Sequence, residues 1–87
     1  MKQTLGKRRS RLEIVKDMLE VVKDAEAVSK TDIVYGANLN FSRADKYLSI
    51  LINKGLLSRN GESRSRYHLT DKGVSFLNQA EELLQVI

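Results

Sequence analysis

The sequence contains no cysteine, no proline and no tryptophan, and only one histidine, in 87 residues. The missing cysteine removes disulfides, thiolate metal sites and cysteine catalysis together. One histidine, His68, is too few for a zinc site or a histidine-based triad. No apolar run approaches the roughly 20 residues that a membrane-spanning helix requires. The basic N-terminus leads into an amphipathic, acid-containing stretch, which is not the pattern of a signal peptide. An intracellular location is therefore expected. Without proline, low-complexity tracts or repeats, no linker is visible and the length fits one small domain. Such a domain buries only about 60% of the surface its unfolded chain exposes, so its core is thin and nothing covalent staples it.

What is present is charge, 15 Lys+Arg against 11 Asp+Glu, for a net +4. Its distribution says more than its sum. Residues 1–11 hold five basic groups (Lys2, Lys7, Arg8, Arg9, Arg11) and no acid. Residues 42–72 hold seven basic groups against three acids, and the remainder holds three against eight. Segregation of this kind suits a polyanionic partner, of which nucleic acid is the commonest.

Local signals divide the chain into helices and one hairpin. Ser10 is a good N-cap for a first helix, along which Leu12, Val15, Leu19 and Val22 recur at helical spacing, with Ile14 and Met18 widening the stripe. Ser29-Lys30-Thr31-Asp32 has the Ser-x-x-acid form that opens a second, short helix carrying Ile33, Val34 and Ala37. Asn38-Leu39-Asn40 breaks it, and Ser42-Arg43-Ala44-Asp45 repeats the capping pattern to open a third helix that ends at Lys54-Gly55. Leu56 to Arg59 reads as a strand, Asn60-Gly61 as a hairpin signal within a longer loop, and Arg66 to Leu69 as the return strand. Thr70 then caps a final helix with Asp71 in its first turn. The expected fold class is mainly α with a small β-hairpin, in the order α-α-α-β-β-α. That is the winged helix-turn-helix plan. The expected division is a basic arm over 1–10, the winged domain over 11–72 and a C-terminal helix over 73–87.

In the third helix, about 100° per residue gathers Ala44, Leu48, Leu51 and Ile52 on one side and Arg43, Lys46, Ile50 and Lys54 on the other, with Tyr47 at the edge. A recognition helix, here residues 43–54, needs that arrangement: an apolar face to anchor it and a donor-bearing face to enter the major groove. Tyr47 offers a phosphate donor, and Ile50 a contact for a thymine methyl. The hairpin over 56–69 carries Arg59, Arg64 and Arg66, whose planar forks suit phosphate oxygens, although charge also keeps edge strands soluble. The run Lys7-Arg8-Arg9-Ser10-Arg11 is either an arm that grips phosphates or a solvated tail. His68, between Tyr67 and Leu69, is expected to face solvent or the wing.

The last helix presents Gly73, Leu77, Ala80, Leu84 and Ile87 at spacings of four and three, with Val74, Phe76, Leu83 and Val86 adding apolar surface. Its first half can cover the core, and its second half is expected to overhang so small a body. Either the overhang folds back along the first helix, or Leu77, Ala80, Leu83, Leu84 and Ile87 meet a second copy. A homodimer matches the two-fold symmetry of many DNA sites and is the expected state.

Three segments carry a family resemblance. Lys30-Thr31-Asp32-Ile33-Val34-Tyr35-Gly36-Ala37-Asn38-Leu39 resembles the signature K-T-x-I-x-Y-x-A-N-L. Tyr67 to Gly73 resembles Y-x-L-T-x-K-G, and Arg11 to Val15 resembles the opening of the same proteins. These are the small archaeal winged helix-turn-helix DNA-binding proteins, transcriptional regulators or chromatin-associated proteins with a C-terminal coiled-coil dimerisation helix. The resemblance spans roughly residues 7–80. It implies an archaeal source, double-stranded DNA as ligand, a cytoplasmic location at the nucleoid and a dimer through an antiparallel coiled coil. It carries Arg43, Lys46 and Tyr47 over as recognition-helix residues. The chain departs from the family at its end, since the family's last helix runs several turns further than Ile87.

The expected function is therefore double-stranded DNA binding, as a transcriptional regulator or nucleoid-associated protein. The alternative is a winged-helix protein-interaction module that turns the same surface to an acidic partner. RNA ranks behind both, because three Tyr and two Phe form no evident stacking platform. An enzyme ranks last: no carboxylate pair, base-activated nucleophile or phosphate-cradling glycine loop can be assembled. No metal, cofactor or small-molecule ligand is implied.

Overall fold

The computed structural model describes residues 9–25, 27–61 and 64–86. The elements run α1 (Arg11–Lys23), α2 (Lys30–Gly36), α3 (Phe41–Asn53), β1 (Leu57–Asn60), β2 (Arg66–Leu69) and α4 (Asp71–Val86). This is the winged helix-turn-helix order expected from the sequence.

Helix boundaries follow local hydrogen bonding. Ser10 caps α1, and Ser29 caps α2, in full capping boxes closed by Glu13 and Asp32 respectively. Asn38 (φ 55°) follows the end of α2 in the left-handed region, and the Leu39 N–H donates to Val34 O at 2.8 Å. The same closure ends α3, where Gly55 (φ 77°) takes that position and the Leu56 N–H donates to Leu51 O at 2.9 Å. The cap of α3 is Asn40, not Ser42: Asn40 Oδ1 accepts from the Arg43 N–H at 2.7 Å. Asn38 and Leu39 complete the preceding helix end, which leaves Asn40 extended and free to start the next one.

β1 and β2 pair antiparallel in the register Leu57↔Leu69, Ser58↔His68, Arg59↔Tyr67 and Asn60↔Arg66. A contact not foreseen from the sequence extends this sheet. Val28, between α1 and α2, exchanges two backbone hydrogen bonds with Tyr67, at 2.8 and 3.2 Å. It fixes the hairpin to the start of α2.

One core joins all the elements. Ile14, Met18, Leu19 and Val22 of α1 pack with Ile33 of α2, Leu48 and Leu51 of α3, Leu57 and Tyr67 of the hairpin, and Leu77 of α4. Leu12 and Val15, expected in the α1 stripe, are only half-buried, because the buried line runs along Ile14, Met18 and Val22. At the hub, α4 meets the end of α3. Thr70 Oγ1 lies 2.6 Å from Gly55 O and 3.0 Å from Leu56 O, and accepts from the Gly73 N–H at 2.9 Å. Lys72 Nζ donates to Lys54 O at 2.8 Å. No described helix is long and apolar enough to cross a membrane.

Candidate nucleic-acid interface

Two elements present cations outward on one side of the fold. α3 buries Ala44, Leu48 and Leu51 and exposes Arg43, Lys46 and Ile50, and its C-cap Lys54 is exposed as well. Tyr47 is half-buried and packs against the core, so its ring anchors the helix while its edge reaches the surface. The hairpin exposes Arg59, Arg64 and Arg66. The expected outer face of α3 and the expected cationic hairpin are thus both present.

Their relative placement was not legible in the sequence. The hairpin lies along the Asp45, Ser49 and Ile52 flank of α3, where the two elements wall a cleft of about 600 Å³ with the start of α2. Arg59, Arg64 and Arg66 line it from the hairpin, and Ser29 and Lys30 from α2. At about 100° per residue, Lys46 sits next to this flank, whereas Arg43, Tyr47, Ile50 and Lys54 turn toward the other side of the helix. The structure therefore gathers Lys30 with the three hairpin arginines, sets Arg43, Tyr47, Ile50 and Lys54 on the far edge, and leaves Lys46 between the two.

The side chains of the cleft are partly organised. In the paired register Arg59 shares a face with the buried Leu57 and Tyr67, so it points toward α3. Its Nε donates to Ser65 Oγ at 2.8 Å, and Ser65 Oγ donates in turn to Gly61 O at 3.1 Å. Gly61 has φ 87°, a left-handed turn conformation that suits glycine. Lys30 pairs with Asp45 across the α2–α3 gap. The Asp45 hydrogen bond is the main reason that the Lys30 ammonium is held above the ordinary lysine value, with Arg59 acting weakly against it. Lys30, Asp45, Ser49 and Ser65 escaped sequence reasoning because each is unremarkable in its own segment.

The arm is only partly described. Lys7 and Arg8 lie outside the described residues. Arg9 is described, and its guanidinium is turned into the fold: Nη1 donates to Asp17 Oδ2 and to Ala37 O, both at 2.7 Å, and Nη2 donates to Asn38 O at 2.8 Å. Those donors are spent on α1 and on the end of α2.

The expected α4 seam divides. Leu77 and Ala80, expected at a dimer contact, are buried inside the protomer, because the Gly73, Leu77 and Ala80 face seats on its own core. Leu84 is half-buried and lines a groove with Lys16 and Glu20 of α1, and Ile87 lies outside the described residues. The exposed apolar surface is a neighbouring stripe, half-buried Phe76 with Leu83 at 52% and Val86 at 78% exposure. No residue after Ala80 is fully buried among those described. His68 is half-buried opposite Ser58, and no described cluster of His, Asp or Glu has the makings of a metal site.

Known proteins share this fold. A family model described as winged helix-turn-helix matches residues 8–87. An uncharacterized protein of the archaeon Methanocaldococcus jannaschii is 31% identical over 80 residues, which are 92% of this chain and 78% of that protein. The crystal structure of Sso10a-2, a DNA-binding protein from Sulfolobus solfataricus, superposes with a TM-score of 0.84 at 32% identity, covering 90% of this chain and 81% of that one. The transcriptional regulator BldR from the same organism superposes with a TM-score of 0.75 at 22% identity, over 83% of this chain and 54% of that one, a likeness of fold alone. On sequence and architecture together, the chain belongs to the winged helix-turn-helix family.

Proposed function

We propose that this protein binds double-stranded DNA, with α3 in the major groove and the hairpin on the flanking backbone, as a transcriptional regulator or nucleoid-associated protein. The observation that carries this reading is that Arg59, Arg64 and Arg66 line a cleft against the flank of α3, beside the exposed face of that helix, which carries Arg43 and Lys46. A duplex presents phosphates on both sides of each groove, so a helix and a hairpin side by side can hold it at two heights. The 32% identity to Sso10a-2, a DNA-binding protein, supports the same ligand. Arg43, Tyr47, Ile50 and Lys54 extend the contact along the far edge of α3.

A second copy is proposed to dock on α4 through Leu83 and Val86, the apolar residues that the protomer leaves exposed, with the half-buried Phe76 beside them. Two-fold pairing would present two recognition helices to one duplex. Sedimentation at about tens of micromolar tests the dimer; a pure monomer there contradicts it, and Leu83→Glu should dissociate it without unfolding the protomer.

DNA binding is tested by fluorescence anisotropy of a labelled duplex across a salt series. If about five phosphates are neutralised per protomer, log K falls against log[salt] with a slope of roughly −4.5. Lys46→Ala and Arg64→Ala should each reduce the slope by about one. Absence of affinity at low salt, or a flat response, contradicts the reading. Selection of bound sites from a random pool separates the two roles: a palindrome indicates a dimeric regulator, and a featureless pool an architectural protein.

A further inference from the structure

The cleft between α3 and the hairpin holds more order than a merely solvated basic surface needs. Arg59 leaves the sheet on its inward face, beside Tyr67, and its Nε is already committed to Ser65 Oγ. Ser65 is itself braced on Gly61 O. A guanidinium fixed through Nε keeps its two terminal nitrogens for a planar, two-pronged acceptor. Facing it, Lys30 sits within electrostatic reach of Arg59. Among the described residues, the charged lining is then Lys30, Arg59, Arg64 and Arg66 against one carboxylate, Asp45. Four cations lining one cleft repel one another, and an anion entering it relieves that repulsion. Asp45 pairs with Lys30 from the α3 wall, and Asp32 lies within electrostatic reach of Arg66, so among the described residues the lining keeps an excess of positive charge. The serine brace would be superfluous if Arg59 only kept an edge strand soluble, since that role needs a charge and no fixed orientation.

We propose that this cleft seats a single phosphodiester group of the DNA backbone, gripped by Arg59 in an orientation set by Ser65, with Lys30 as second cation and Asp45 as the group that limits the grip. The proposal rests on the DNA-binding reading and assigns residues that the reading does not use: Ser65 as a positioning residue, Lys30 as a phosphate contact, and Asp45 as an attenuator. The phosphate entering the cleft competes with Asp45 for Lys30. Removing the Asp45 charge therefore tightens binding, whereas a carboxylate that served only to hold α2 against α3 would not.

The test uses the full chain, a labelled duplex and the variants Arg59→Ala, Ser65→Ala, Ser65→Thr and Asp45→Asn, each checked by thermal unfolding. Arg59→Ala should weaken duplex binding about tenfold and reduce the salt slope by about 0.9, the loss of one phosphate contact. Ser65→Ala should weaken binding about threefold with an unchanged unfolding midpoint and an unchanged slope, because the charge remains and only its orientation is lost. Ser65→Thr, which keeps the hydroxyl, should restore wild-type affinity. Asp45→Asn should bind about threefold more tightly. If the wild type binds duplex and these variants bind equally well, the cleft proposal is overturned and the DNA reading stands. If the wild type binds no duplex, the DNA reading fails, and the proposal of a backbone phosphodiester falls with it. A parallel NMR titration with inorganic phosphate at constant ionic strength then distinguishes the sources. The Arg59 Nε–H resonance should move only in the presence of duplex, or far more strongly with it. Saturation by inorganic phosphate alone would make this a free-anion site and overturn the proposal.

Discussion

Arg9 donates from Nη1 to the carbonyl oxygen of Ala37 at 2.7 Å, joining the chain before α1 to the end of α2 across 28 residues. The carbonyls at a helix end lack partners within the helix and carry partial negative charge, so a guanidinium is a fitting closure. Asn38 O and Asp17 Oδ2 complete its contacts. Arg9→Ala should cost about 1–2 kcal/mol, which lowers the unfolding midpoint of a domain this size by roughly 5–10 °C. The salt slope of DNA binding should stay at its wild-type value. A reduced slope with an unchanged midpoint would return Arg9 to the interface. Arg9→Lys keeps the charge but not the fork, and should recover less than half of the loss.

Gly73 faces Leu56 so closely that an added Cβ would overlap the Leu56 carbonyl oxygen and come within 2.7 Å of Leu69 Cδ1. The first of these is backbone, held by the Thr70 N–H at 3.2 Å, and has nowhere to move. Gly73→Ala should therefore cost about 2 kcal/mol or more by overpacking, seen as a midpoint at least about 10 °C lower in a thermal melt.

The capping boxes give the fold a defined acid sensitivity. Donation from the Ser10 backbone N–H, then from its hydroxyl, holds the Glu13 carboxyl below its ordinary value of 4.5. The equivalent bonds from Ser29 hold Asp32 below 3.8. Both groups have folded pKa values below their unfolded ones. Their contribution is complete above the ordinary values and is lost as pH falls through the depressed ones. Glu13→Gln combined with Asp32→Asn should flatten the decline of the unfolding midpoint between about pH 5 and pH 3.

Glu20 of α1 behaves in the opposite sense. Partial burial, followed by a hydrogen bond with Glu81 of α4, pushes its carboxyl up from 4.5, while Lys16 pulls it down. A carboxyl with a raised folded pKa favours the fold when protonated, and that benefit disappears as pH rises through the folded pKa. Glu81→Gln removes the like charge and leaves the Lys16–Glu20 pair in place. At pH 7 it should raise stability by about 0.3 kcal/mol, allowing for solvent screening of these partly exposed groups, or roughly 1–2 °C in the midpoint. At pH 4 the variant and the wild type should melt together.

The sequence revealed what is local. Ser10, Ser29, Gly55 and Thr70 mark element ends because a cap or a left-handed residue is decided within a few residues of chain. The Asn60-Gly61 signal located the hairpin for the same reason. Direction was not legible. Gly73, Leu77 and Ala80 form the same periodic pattern whether they meet α1 or another chain, and only the packed fold shows that they are spent internally. Arg9 looks like its neighbours in a basic run until its acceptors, 28 and 29 residues away, are seen. The cleft is the clearest case. Lys30, Asp45 and Ser65 come from three segments, and their meeting depends on the flank of α3 that the hairpin takes, which the Val28–Tyr67 pairing helps to set.

The most direct test of the central claim is the footprint of a short duplex on the backbone amides, followed by NMR titration of the labelled protein. The account predicts shifts concentrated between Ser42 and Lys54 and in the hairpin at Arg59, Arg64 and Arg66, with α4 from Glu81 to Val86 unmoved. Shifts confined to α4, or none along α3 and the hairpin, would contradict it.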